Sequence, residues 1–153
     1  MEAAMRAVVQ RVRGARVEVE GRVTGAIDRG LLVLIGAAPA DTPAEVDALA
    51  EKIACLRIFP DGEGKMNLDV TQVSGAVLAV SQFTLFGDCR KGRRPSFQSA
   101  AGPEHGDAMY SRYVESTRRL GLRCETGVFG AMMDVHLLND GPVTLLLDTT
   151  RLF

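Results

Sequence analysis

Val135-His136-Leu137-Leu138-Asn139-Asp140-Gly141-Pro142-Val143-Thr144-Leu145-Leu146-Leu147 reads as a strand with a proline set into its middle. Strand-forming residues flank the Gly141-Pro142 pair on both sides. Proline cannot donate to a sheet ladder and is normally found at edges, strand starts or bulges. An X-Pro bond is also the one common place for a cis peptide, which in a folded protein is a specific feature of the site. Gly141 has no side chain, so its backbone can approach a ligand closely. A bare, stiff piece of main chain between two strands is suited to act as a steric gauge.

Working outward, the rest of the chain reads as strands with two helices. Residues 6–12 alternate as a strand; Ala15, Val17 and Val19 face one way and Arg16, Glu18 and Glu20 the other. Gly21 then turns the chain into Val23–Ile27, a hairpin. The apolar run from Gly30 to Ala37 predicts a strand buried on both faces. Thr42-Pro43-Ala44-Glu45 predicts a helix start, with Thr42 as cap, Pro43 in the first turn and Glu45 closing a capping box. Val46, Leu49, Ala50 and Ile53 continue it to about Leu56. Arg57–Phe59 reads as a short strand, Asp61–Lys65 as a turn, and Ala76–Phe86 as another strand. Residues 87–102 form a long Gly/Arg/Ser-rich loop, of a length that is often functional. A second helix spans Pro103 to Leu120, stopped by Gly121. Leu122–Leu152 returns to strands. The expected fold is α+β: a mostly antiparallel, barrel-like sheet with two helices packed on it.

The length of 153 residues fits one domain, 1–153, with residues 1–4 as an extension ahead of a second possible start at Met5. A net charge of −1 announces neither a nucleic-acid nor a membrane partner globally. Locally, residues 6–16 hold Arg6, Arg11, Arg13 and Arg16 without an acid, and residues 88–94 hold Arg90, Lys91, Arg93 and Arg94 against Asp88 alone. These basic segments are either solvated loops or a small footprint for a phosphate backbone. Three cysteines, Cys55, Cys89 and Cys124, are too few and too scattered for a disulfide framework or a zinc site, which fits a reducing cytoplasm. The longest apolar run, Leu31–Ala38, is too short for a membrane span. No metal or cofactor is expected.

The usual catalytic constellations are poorly supplied. There are two histidines. His105 falls at a helix start and His136 within an alternating strand, and both read as structural. No nucleophile elbow, dinucleotide fingerprint or H-E-x-x-H occurs. That leaves Ser81-Gln82-Phe83-Thr84-Leu85. Strand period places Gln82 and Thr84 on one face, with Phe83 and Leu85 anchoring the core from the other.

Taken together, Ser81-Gln82-Phe83-Thr84-Leu85 and Asn139-Asp140-Gly141-Pro142-Val143-Thr144 resemble the paired signatures of the D-aminoacyl-tRNA deacylase family. Val9-Gln10-Arg11-Val12, Gly30–Leu34, Arg57–Phe59, Gly64-Lys65-Met66-Asn67 and Arg94-Pro95-Ser96-Phe97 resemble the family pattern in the same order, so the likeness runs from Met5 to about Leu147. The resemblance implies a homodimer with active sites at the subunit interface. A cis Gly141-Pro142 bond of one protomer would enter the pocket formed by Ser81, Gln82, Phe83 and Thr84 of the other. The implied reaction is hydrolysis of the ester joining a D-amino acid, or mischarged glycine, to the terminal adenosine of tRNA. Backbone N–H groups at Phe83 and Thr84 would stabilise the oxyanion. Thr84 is the one side-chain nucleophile on offer and ranks behind assistance from the ribose hydroxyl. The resemblance also points to Arg11 as a brace of the Gly-Pro loop, Phe97 as pocket lining, Asn139 as support, and Met133 as either adenine contact or core. Arg90, Lys91, Arg93 and Arg94 would steer the acceptor end. Against this stand a non-catalytic RNA-binding module of the same fold and a simple ester hydrolase, the latter disfavoured by the missing triad.

Overall fold

A computed structural model describes residues 5–153; the expected extension at residues 1–4 lies outside the described residues. The elements are β1 (Arg6–Val19), β2 (Arg22–Ile27), β3 (Gly30–Gly36), α1 (Pro43–Ala54), β4 (Phe59–Pro60), β5 (Met66–Leu68), β6 (Ala76–Ser81), a 3-10 turn (Phe83–Phe86), α2 (Pro103–Arg119), β7 (Cys124–Thr126) and β8 (Asp134–Asp148). The β1–β2 hairpin turns through Glu20 and Gly21, both at positive φ (50° and 76°), as a tight two-residue connection requires.

β1 organises the sheet. β8 runs antiparallel along it from Arg6 to Glu18. Its other edge is shared, with β3 on Arg6–Val12 and β2 on Ala15–Val19. β6 joins β3 in parallel and β7 joins β6 in parallel. The sheet is therefore barrel-like but mixed, more so than the hairpin-rich sequence suggests. Its parallel pairs arise where the chain crosses over through α1 and α2. The sheet almost closes on itself. Arg123 donates to the Ala26 carbonyl at 3.0 Å, and a Cβ on Gly25 would come within 2.3 Å of the Thr126 carbonyl.

Strand alternation divides the interior. Val9, Leu31, Val33, Ile35, Val77 and Ala79 face the helices, which add Leu49, Ile53, Met109 and Tyr113. Val12, Val17, Leu32, Leu78 and Val80 fill the opposite side. The helices are also tied to each other: Arg112 grips Asp47 through Nε (2.8 Å) and a terminal nitrogen (2.7 Å), and Ser116 donates to the same carboxylate. These bonds hold the Asp47 carboxyl well below the usual range.

Three local expectations need correction. Thr42 is the N-cap residue of α1 as expected, but its side chain accepts from no backbone N–H; its hydroxyl donates to Glu45 Oε1 at 2.9 Å instead. The short strand after α1 is Phe59–Pro60, paired with Met66–Leu68, rather than Arg57–Phe59. The strand from Ala76 ends at Ser81, not Phe86. Ile35–Ser81 is the last pair of the parallel ladder, and the Gln82 N–H makes a final bond to the Ile35 carbonyl at 2.7 Å. β3 stops at Gly36, so nothing remains for the strand to pair with, and the chain coils. Phe86 becomes the buried anchor at 3% exposure, while Phe83 is 56% exposed.

Candidate active site

The coil after β6 forms one wall of a pocket. Gly36 makes this possible, since a Cβ there would sit 2.9 Å from the Gln82 carbonyl and 3.0 Å from the Phe86 ring. The pocket holds about 850 Å³ and is lined by Ser81, Gln82, Phe83 and Thr84, by Phe97, Ala100, Ala101 and Pro103 from the loop entering α2, and by Phe129–Met133 ahead of β8. Phe83 meets Phe97 edge to face with centroids 5.2 Å apart. Phe129 packs on Tyr110, whose hydroxyl donates to the Ala79 carbonyl at 2.7 Å; burial pushes that phenol up to about 12. Gln82 Nε2 donates to Thr84 Oγ1 at 3.0 Å.

Two properties of this pocket matter chemically. None of the residues lining it is ionisable. At the start of the 3-10 turn, the N–H groups of Phe83 and Thr84 find no acceptor among the described residues, as expected of a helical N-terminus. The pocket thus offers apolar surface, a few neutral polar groups and two free backbone donors.

Gly141 and Pro142 do not line it. They stand exposed on β8, and their peptide bond is cis. Between the pairs Gln10–Thr144 and Val12–Asn139, β1 supplies only Arg11, while β8 supplies Asp140, Gly141, Pro142 and Val143. The surplus is pushed out as a bulge. Arg11 continues the Ala7–Val9 row toward the helix-side core and is 8% exposed. Its Nε donates to the Asp140 carbonyl at 3.0 Å, and a terminal nitrogen donates to the Ile58 carbonyl at 2.6 Å. Asn139 spans the bulge, accepting from the Val143 N–H at 3.0 Å and donating to Thr144 Oγ1 at 3.0 Å. Asp140 adds ion pairs with Arg11 (3.6 Å) and Arg13 (3.5 Å). Gly141 has φ +132°, and a Cβ there would meet Val143 Cγ2 at 2.9 Å and Arg11 at 3.0 Å.

The basic loop is closed at its neck by Asp88 and Ser96, which exchange backbone bonds of 2.7 and 2.9 Å. Arg90 is bound to Asp88, while Lys91, Arg93 and Arg94 are exposed. The histidines lie elsewhere: His105 Nε2 is 3.0 Å from the Asp41 carbonyl oxygen and His136 Nε2 is 2.8 Å from Glu18 Oε2. Among the described residues no cluster of His, Cys, Asp and Glu suited to a metal occurs. Cys124 is buried, which raises its thiol to about 11. The structure therefore gathers Ser81, Gln82, Phe83, Thr84, Phe97 and Met133 around one pocket, and Arg11 and Asn139 around the separate Gly141-Pro142 bulge. Sequence reasoning missed the Phe129–Met132 wall. Its signal was an aromatic and two methionines around Gly130 just before a strand.

A family model described as D-Tyr-tRNA(Tyr) deacylase matches residues 8–148. The chain belongs to that family. It is 62% identical over 149 residues to the D-aminoacyl-tRNA deacylase of Koribacter versatilis, covering 97% of this chain and all of that one. It is 58% identical to the D-aminoacyl-tRNA deacylase of Thermotoga petrophila over the same shares. A solved structure titled c-Myc DNA Unwinding Element Binding Protein superposes with a TM-score of 0.87 at 41% identity, covering 93% of this chain and 97% of that one. A probable eukaryotic D-amino acid tRNA deacylase superposes with a TM-score of 0.83 at 19% identity over 95% and 99%, a likeness of fold. The matched residues 8–148 span both the pocket and the bulge of this chain.

Proposed function

We propose that this chain, an ester hydrolase of the D-aminoacyl-tRNA deacylase family, removes D-amino acids from tRNA and reads their handedness with the main chain at Gly141 and Pro142, inserted into the pocket of a second copy. The observation that carries the reading is a site in two halves: a pocket without ionisable groups, and a braced backbone protrusion that does not reach it within one chain. β8 leaves Leu138 and Leu146 59% and 55% exposed, apolar surface that a second copy would cover.

Two enantiomers present the same groups, so attraction separates them poorly and a clash must be built against the wrong one. The carbonyls of Gly141 and Pro142 would hold the amino group and leave no room for an L side chain. Arg11 and Asn139 keep that wall from yielding. Glycine has nothing to reject, so glycyl-tRNA is also a substrate in this reading.

With no acid or base lining the pocket, the chemistry falls on positioning and on the substrate. The neighbouring ribose hydroxyl assists water at the acyl carbon. The acyl–oxygen bond breaks, the amino acid leaves as a carboxylic acid, and the ribose oxygen takes the proton. The free N–H groups of Phe83 and Thr84 stabilise the oxyanion. Ser81 and Gln82 shape the wall, Phe97 lines it, and Met133 borders the adenine. Thr84 as a covalent nucleophile comes second, because the group bonded to its hydroxyl is the Gln82 amide, which is not a base. Lys91, Arg93 and Arg94 face the RNA acceptor end on the loop that Arg90 helps to form, and the protein works on cytoplasmic tRNA.

The test is deacylation of tRNA charged with D-tyrosine, L-tyrosine or glycine at substoichiometric protein. The D and glycyl esters should be lost quickly and the L ester should survive. Equal hydrolysis of both enantiomers rejects the backbone gauge. No turnover, with RNA binding retained, favours a binding module, the reading to which the DNA-element-binding title of one solved relative lends weight. Thr84→Ala should keep most activity, whereas substrate lacking the terminal 2′-hydroxyl should be inert. A dead, folded Thr84→Ala protein restores the nucleophile.

A further inference from the structure

The loop over residues 89–95 contains a contradiction if charge alone is considered. A loop that meets a polyanion is expected to carry only cations, yet Asp88 stands at its base. The carboxylate is fully engaged by one neighbour. Oδ1 accepts from the Arg90 backbone N–H at 3.0 Å and from Arg90 Nε at 2.9 Å, and Oδ2 accepts from the guanidinium at 2.7 Å. This two-point clasp neutralises Arg90 and occupies one edge of its fork. The free positive charge of the loop is then Lys91, Arg93 and Arg94, all exposed. Gly92, at φ +63°, turns the chain between Lys91 and Arg93.

The neck ties this loop to the pocket. Asp88 and Ser96 are bridged by two backbone bonds, the Gly87 N–H donates to the Thr84 carbonyl at 3.0 Å, and Ser96 precedes Phe97, which packs on Phe83. A Cβ on Gly87 would lie 3.1 Å from the Thr84 carbonyl and 3.2 Å from the Phe97 ring, so the neck is close-packed against the pocket wall. This neck is one rim past which the phosphodiester chain of an adenosine seated in the pocket can leave. The Asp88 carboxyl, drawn down to about 2 by Arg90, is ionised at any pH at which the enzyme works.

We propose that Lys91, Arg93 and Arg94 grip the phosphodiester backbone of the acceptor end, and that Asp88, acting through Arg90, is a positioning residue that holds them at the pocket rim. This rests on the deacylase reading above and deepens it: Arg90 shapes the loop, and the other cations touch RNA.

The sign of one effect separates positioning from charge counting. Deleting an acid from a basic loop strengthens RNA binding if only charge matters; it weakens binding if the acid sets the geometry. The experiment measures kcat and KM for D-tyrosyl-tRNA and for D-tyrosyl-adenosine, which has no phosphate, and the Kd of an uncharged acceptor-stem RNA against salt. Arg93→Ala/Arg94→Ala should raise the tRNA KM about tenfold and reduce the slope of log Kd against log salt by about 1 per lost contact, with the adenosine ester unaffected. Asp88→Ala should raise the tRNA KM about threefold with kcat unchanged and the adenosine ester again unaffected, while Asp88→Glu recovers part of the loss. An unchanged or lower KM in Asp88→Ala, an unchanged slope in the double variant, or equal losses on both esters overturns the proposal. A wild-type protein inert on both esters, with the same ordering of RNA affinities, sinks the deacylase reading and leaves the loop assignment standing.

Discussion

The two signature segments of this chain are built in opposite ways. Residues 81–86 are concave: they coil away from a finished parallel ladder, leave Phe83 exposed and backbone donors unpaired, and rest on Phe97 and Phe86. Residues 139–144 are convex: they bulge from an antiparallel ladder and are held by a nearly buried guanidinium and a spanning asparagine. A receptive surface tolerates loose ends, because a substrate will satisfy them. A surface that must exclude a molecule needs every bond made in advance. In the proposed reading the first segment is filled and the second refuses, so substitutions in the two should differ in kind.

The largest effect is expected at Arg11. Arg11→Ala removes two bonds to main-chain carbonyls and leaves both without their partner near the core, a loss of about 3 kcal/mol in chemical denaturation. The bulge should also slacken, so the ratio of D- to L-ester hydrolysis should fall more than the D-ester rate itself. Arg11→Lys cannot span both carbonyls in one plane and should recover little. Next is Gly141→Ala. An L side chain is strained at φ +132°, and its Cβ would press on Val143 and Arg11. The expected cost is about 2 kcal/mol, with loss of D-ester hydrolysis. Asn139→Ala follows, at about 1 kcal/mol for the bond to the Val143 N–H, again read by denaturation. If these three changes left discrimination intact while lowering stability, the convex half would be scaffold and not a gauge.

Much of the fold was legible because its signals are local. The Gly30–Ala37 run announced a strand buried on both faces, Thr42-Pro43 the start of α1, and Gly141-Pro142 an interruption in β8. What escaped was decided by distant partners. The end of β6 at Ser81 depends on where β3 stops, forty-odd positions earlier, and no periodicity within 76–86 carries that information. The same dependence made Phe83 look like a core residue when Phe86 is the one buried. Parallel pairing of β3, β6 and β7 depends on the crossovers through α1 and α2, which short-range patterns do not encode. For the site, the residue types at 81–84 and 141–142 stood out in the sequence. The buried course of Arg11 to Ile58, the Asn139–Val143 bond across the bulge and the 129–133 wall could be seen only once the strands were in register.

The smallest effect should come from the concave half and bears most directly on the contrast. Phe83 is more than half exposed, so Phe83→Leu forfeits little burial and chiefly the edge-to-face contact with Phe97, about 0.5 kcal/mol. Denaturation midpoints should hardly move. Turnover should respond differently: a flat ring at the pocket mouth is replaced by a narrower aliphatic chain, so KM for the D-ester should rise while the preference for D over L persists, because the refusing surface is untouched. A Phe83→Leu protein destabilised as much as Arg11→Ala would mean that residues 81–86 are locked as tightly as the bulge. The pocket would then be no more yielding than the element it receives, and the division between filling and refusing would have no physical basis.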